Sequence, residues 1–179
     1  RGSLRQDLHR QLSLKRRARV PRGRDRHSSS PYKEAFTISQ RPAEVDDRAV
    51  PGHWEGDLII GPASKSAIGT LVERATRFTI LLHLPDRHDA NAVAAAMIAE
   101  MRHLPEHLRR SITWDRGSEL ASYREIQLAL DTKLFFCDPH SPWQRGTNEN
   151  TNRLLRFWFP KGHDLSTFTA EDLRRVAAT

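Results

Sequence analysis

From about residue 50 onward the apolar residues fall into segments whose periods follow one fixed order, and that order restricts the fold more than any other feature of the chain. Residues 53–61 (HWEGDLIIG) alternate as a strand and residues 67–73 (AIGTLVE) as a second, with Gly61-Pro62-Ala63-Ser64 as the turn between them. Residues 77–84 (RFTILLHL) read as a third strand after a turn at Ala75-Thr76. Three strands this close in sequence pair most simply as an antiparallel meander. Residues 89–103, rich in Ala and Met, then read as a helix with Asp89 as its N-cap and Pro105 as its stop. A strand at 110–114 (RSITW), a helix at 122–130, a strand at 133–137 (KLFFC) and a loop over 138–146 punctuated by Pro and Gly follow. A helix at 147–158 with Thr147 as its cap comes next, and residues 170–178 open one more. The order β-β-β-α-β-α-β-α predicts an α/β domain, a mixed five-stranded sheet flanked by helices.

The 179 residues suffice for one domain of ordinary size and a tail, and charge separates the two. Residues 1–35 carry 11 Lys/Arg against 3 Asp/Glu, whereas residues 36–179 carry 18 against 19. Residues 15–33 contain almost no apolar side chain and cannot offset the entropy of ordering. The reading is therefore a basic flexible arm or linker over 1–40 and a core over 45–179. Leu4, Leu8 and Leu12 stand at helical spacing, as at the end of an upstream helix. A basic arm suits a nucleic-acid partner, because Lys and Arg neutralise phosphates and release counterions; a solvated tail is the plainer alternative. One cysteine, Cys137, excludes an internal disulfide and suits a reducing compartment. No stretch approaches the roughly 20 apolar residues of a membrane helix, and no membrane partner is expected.

Three carboxylates stand where chemistry needs them. Asp57 lies inside the first strand, which alternates Glu55, Asp57 and Ile59 on one face with Trp54, Gly56, Leu58 and Ile60 on the other. A carboxylate in so apolar a run is costly unless paired or metal-bound. Asp115 follows the fourth strand, in the turn Asp115-Arg116-Gly117-Ser118, and Glu149 stands in the first turn of the helix after the fifth. Two-metal phosphoryl transfer needs such a set, because hard carboxylate oxygens hold Mg²⁺ while leaving positions for water and phosphate. Singly, each has a plain explanation: an ion pair for Asp57, turn chemistry for Asp115, a helix N-terminus for Glu149.

The motifs around these residues resemble the DDE transposases of bacterial insertion sequences, in the family called insertion sequence thirty. The matching stretches are 52–57 (GHWEGD), 70–74 (TLVER) and 113–119 (TWDRGSE), then 141–155 (SPWQRGTNENTNRLL) and 159–162 (FPKG), with 33 residues between Asp115 and Glu149. The resemblance covers roughly residues 40–179. It implies a ribonuclease H-like integrase catalytic core whose triad and metal ligands are Asp57, Asp115 and Glu149. It also implies two Mg²⁺ (or Mn²⁺) ions and metal-dependent cleavage and strand transfer at transposon ends. The partners it implies are double-stranded DNA, as transposon ends and target, and further copies of the chain in a homo-oligomer on that DNA. The place is the bacterial cytoplasm, at the nucleoid. An upstream helix-turn-helix domain and further C-terminal helices are expected outside this sequence, which leaves the core C-terminally truncated. Departures from the family pattern are His53, Arg116 beside the second Asp, and Arg153. Arg116 either competes with metal for Asp115 or points away toward phosphate. The rival readings are an inactive remnant that only binds DNA or partner transposase, and a nuclease that cuts without joining.

Around the triad, the expected DNA contacts are Trp143, Arg145, Asn152, Arg153 and Arg156. On the helix after Thr147, Glu149, Asn152, Arg153 and Arg156 share one face, and Thr151, Leu154, Leu155 and Trp158 the opposite, sheet-facing one. Trp143 and Arg145, on a loop ending in Gly146, suit stacking on an unpaired base, although Trp143 equally suits plugging a core edge. Glu55 and Glu119 are read as partners of Arg74 or Arg116 rather than as ligands. His103 and His107 are separated by helix-breaking Pro105 and make a poor zinc pair. Cys137 reads as core.

Overall fold

A computed structural model describes residues 32, 35–138 and 142–179, so the Leu4–Leu8–Leu12 helix and nearly all of the basic arm lie outside the described residues. The meander forms as its spacing requires. Strand β2 (His53–Ile60) pairs antiparallel with β3 (Ala67–Glu73), and β3 with β4 (Thr79–Leu84). Helix α2 (Ala90–Met101) is capped by the Asp89 carboxylate, which accepts from the Ala92 N–H at 3.0 Å. Strand β5 (Ser111–Trp114), helix α3 (Tyr123–Leu130), strand β6 (Lys133–Phe136), helix α4 (Gly146–Leu155) and helix α5 (Ala170–Ala177) follow. Strand β5 runs parallel to both β2 and β6.

The sheet has six strands rather than the expected five, in the order β1-β6-β5-β2-β3-β4. The added strand, β1 (Phe36–Thr37), pairs parallel with Phe135 and Phe136 of β6. Two residues show no period, so this strand exists only through its partner. A four-residue helix, α1 (Glu44–Asp47), joins it to β2.

The alternation in β2 divides the molecule into layers. Trp54, Leu58 and Ile60 enter a core with Leu71, Met97, Met101, Trp114, Ile126 and Phe136, under α2 and α3. On the opposite face, Ile59, Ile68 and Leu81 pack with Leu155, Phe159, Leu165 and Leu173, under α4 and α5. Gly56 lets β5 side chains come close: a Cβ there would lie 2.1 Å from Cζ3 of Trp114. Among the described residues no helix is long and apolar enough to cross a membrane.

Two expectations about α4 need correction. Its N-cap is Arg145, and Thr147 is buried inside the first turn. The sheet-facing side is Thr147, Asn148 and Leu155, whereas Leu154 and Trp158 are exposed by 58% and 38%. The helix stops at Leu155 and the chain continues in turns to the buried Phe159, so helical spacing no longer places residue 158.

Candidate active site

Parallel strands in register carry equivalent residues on the same face, and this brings two acids together. Glu55 of β2 stands opposite Thr113 of β5, and two residues further along the chain lie Asp57 within β2 and Asp115 just past the end of β5. Asp57 is held from three sides. The Leu58 N–H donates to its Oδ1 at 2.9 Å, and Asn152 Nδ2 of α4 donates to its Oδ2 at 3.2 Å. The third partner is Arg145, whose Nη1 lies 3.2 Å from Asp57 Oδ1. The same guanidinium reaches Asp115, with Nη2 at 3.1 Å from Oδ2, and donates to the Gly56 carbonyl at 3.0 Å. Burial pushes the Asp57 carboxyl above its usual range, and Arg145 only partly opposes this. Burial alone would lower the Arg145 guanidinium, but Asp57 and then Asp115 more than offset it and raise it.

Asp115 sits in the turn its sequence suggested, accepting the Gly117 N–H at 3.1 Å. Tyr32 donates its hydroxyl to the Gly117 carbonyl, and burial, reinforced by Glu119 and Asp115, pushes its phenol up to about 12. Glu119 folds over Gly117, and burial followed by the charge of Asp115 raises its carboxyl. Arg116 is exposed, so the cation resting on Asp115 is Arg145.

Helix α4 is fixed to the sheet by a second polar group. Glu55, 1% exposed, meets Arg74 Nε at 2.9 Å, as its reading as an ion-pair partner required. Its other oxygen accepts the Asn148 N–H at 3.0 Å, while Asn148 Nδ2 donates to the Glu55 carbonyl at 2.8 Å and the Thr70 carbonyl at 3.3 Å. This clasp sets the helix register one residue before Glu149. Glu149 is exposed and lines an open groove with Asn152, Arg153, Arg156 and Lys161. Arg156 also donates to the carbonyls of Ile60 and Phe159, which ties it to the end of β2, and Arg153 donates to Asn150. The Trp143 side chain lies outside what is described. The clasp of Asn148 and the inward turn of Arg145 were missed from sequence; the one local hint was a run of Asn around Glu149.

The donor chemistry suits a hard divalent ion. Asp57 and Asp115 already share one cation, the Arg145 guanidinium, and both stay partly open, with side chains 31% and 40% exposed. Among the described residues no three His, Cys, Asp or Glu side chains are gathered to hold an ion. Glu149 occupies the groove side of the same helix face as Asn152, three residues away.

Residues 47–142 match the integrase core domain family. The chain is 45% identical over 177 residues to the transposase for insertion sequence element IS1086 of Cupriavidus metallidurans, covering 99% of this chain and 52% of that protein. It is 48% identical over 141 residues to transposase InsI for insertion sequence element IS30A of Escherichia coli strain K12, covering 79% of this chain and 36% of that protein. It thus spans about half, or less, of the length of these relatives. A chain of the simian T-cell lymphotropic virus intasome, solved by cryo-electron microscopy with the PP2A regulatory subunit B56 gamma, superposes with a TM-score of 0.54 at 19% identity. That superposition covers 72% of this chain and 47% of the other, and establishes the shared ribonuclease H-like fold. Fold, motifs and relatives agree, and the chain belongs to the integrase core domain family, with relatives among the transposases of insertion sequence elements.

Proposed function

We propose that this chain is the catalytic core of a DDE transposase, which cuts a phosphodiester at the end of a mobile DNA element and joins the freed 3′-hydroxyl to target DNA. The observation that carries the reading is the meeting of Asp57 on β2 and Asp115 just past β5 around a single positive charge. Asp57, Asp115 and Glu149 would together hold two Mg²⁺ or Mn²⁺ ions. When bound, the ions activate the attacking oxygen and stabilise the leaving one.

The chain's own residues supply placement. The Glu55–Asn148 clasp and the Asn152–Asp57 hydrogen bond hold α4 against β2, with Glu149 in the groove that Asn152 also lines. Arg153, Arg156 and Lys161 line that groove and suit the phosphates of a DNA strand, and Trp143 suits a base beside the cut. In the first step a water oxygen attacks phosphorus in line and the 3′-oxygen leaves as a hydroxyl. In the second, that hydroxyl attacks a target phosphodiester and displaces its 3′-oxygen. Both steps exchange one P–O bond for another, so no protein nucleophile is required.

The basic arm over 1–40 would lead to an element-end-binding domain, the core over 45–179 would act within a homo-oligomer on DNA, and its place would be the nucleoid region of a bacterial cytoplasm. The test is nicking and strand transfer on a labelled terminal-repeat duplex, using the chain fused to a helix-turn-helix domain of a related transposase. Products that need Mg²⁺ or Mn²⁺ and vanish in Asp115→Asn are expected. No product despite a folded, DNA-bound core would refute catalysis, and hydrolysis without joining would indicate a nuclease.

A further inference from the structure

Two carboxylates side by side, one on β2 and one in the turn just past β5, repel each other, and Asp57 is the more deeply placed of the two. The folded chain needs a cation between them. Arg145 supplies it with both terminal nitrogens, one to each aspartate, from a side chain only 14% exposed.

The guanidinium occupies the space that a divalent ion shared by the two aspartates would require. We propose that Arg145 is a placeholder cation: it holds Asp57 and Asp115 together in the metal-free core and leaves the pair when a divalent ion enters. This rests on the metal-dependent reading of the site.

The local construction lets the Arg145 side chain leave while the turn and helix stay anchored, with loss of its hydrogen bond to the Gly56 carbonyl. Arg145 ends a short turn, Pro142–Arg145, directly before α4. The turn has its own anchor, because Gln144 accepts the Asp138 N–H at 2.9 Å and donates to the Asp138 carboxylate at 3.0 Å. Helix α4 has another, the Asn148–Glu55 clasp. Rotation about the long Arg145 side chain therefore suffices, and Glu149 keeps its place. After the exchange Asp57 retains the Leu58 N–H and the Asn152 amide, and Asp115 the Gly117 N–H, so the carboxylates stay oriented while Asp115 Oδ2 and one lone-pair position on Asp57 Oδ1 are freed. A guanidinium is exchanged for an ion of higher charge at the same oxygens, which makes the two occupants mutually exclusive.

The experiment titrates Mn²⁺ into the 179-residue chain, its Arg145→Gln variant and its Asp115→Asn variant. Calorimetry gives the affinity, and thermal unfolding is followed with and without the ion. Arg145→Gln should bind Mn²⁺ at least tenfold more tightly than the parent chain, while melting lower without metal and gaining more on its addition. An arginine with a merely structural role would lower the melting temperature and leave the affinity unchanged or weaker, and that result overturns the proposal. Binding lost in Asp115→Asn but unaltered in Arg145→Gln leaves the metal site standing and removes only the placeholder. Equal binding by the parent chain and Asp115→Asn removes the metal site and the placeholder together. If Arg145→Gln does not fold, the parent chain decides: the Arg145 Nε–Hε resonance should move with the same midpoint as Mg²⁺ binding, and a stationary signal overturns the proposal.

Discussion

Replacing Glu55 by Gln changes almost no volume, yet should remove a large part of the stability of the core. Glu55 is 1% exposed, and one oxygen meets Arg74 Nε at 2.9 Å while the other accepts the Asn148 N–H at 3.0 Å. A neutral amide has one acceptor oxygen and one NH₂. Whichever way it turns, the NH₂ faces either Arg74 or the Asn148 N–H, donor against donor. Breaking a buried ion pair by removing one partner costs about 3–5 kcal/mol. Because a domain has about 5–15 kcal/mol in all, the variant should lose about a fifth or more of its stability. With a urea slope of about 2 kcal/mol/M, the midpoint should fall by about 1.5–2.5 M. The buried Trp54 and Trp114 report the transition by fluorescence at pH 7. Converting both members, Glu55→Leu with Arg74→Met, should recover part of the loss, because an apolar pair needs no desolvation. A shift under about 1 kcal/mol in Glu55→Gln, on the scale of an exposed pair, would refute the reasoning. It would mean that water reaches the clasp and that α4 is positioned by something else.

Two further outcomes follow from the same layers. Gly56→Ala would place a methyl 2.1 Å from Trp114 Cζ3, in the fully buried core between β2 and β5. Overpacking of this kind costs about 1–3 kcal/mol, so the melting temperature should fall by at least about 2 °C, and an unchanged value would show that Trp114 can move aside. His53 gives a pH dependence. Burial lowers its pKa below the ordinary value of 6.5, with Glu44 only partly opposing, and its Nδ1 lies 2.8 Å from Ser111 Oγ. The unfolded chain therefore takes up a proton there before the folded chain does. Stability is full above 6.5 and falls as pH drops from 6.5 toward the folded value, by up to about 1.4 kcal/mol per pH unit. Urea unfolding at pH 7.5 and 5.5 should show a smaller acid loss in His53→Asn than in the parent chain; equal losses would place the titration elsewhere.

What the sequence by itself determined is the part set by local rules. Alternation fixed which residues of β2 face each layer, turn chemistry ended the strands, and Asp89 capped α2, which stops at Met101, short of Pro105. The parallel register of β2 and β5, which brings Asp57 beside Asp115, belongs to the tertiary structure. The tertiary structure decided where long side chains find their charges. Arg145, expected to face DNA, turns inward onto two aspartates from strands far from it in sequence, and Arg156 spends part of its reach on the end of β2. Glu55 and Asn148 meet only because α4 lies across β2, and β1 exists only because β6 offers an edge. A period along the chain states which face a residue occupies. Which distant group waits on that face depends on register and on how helices settle on the sheet, and for a buried charge that partner determines the energy.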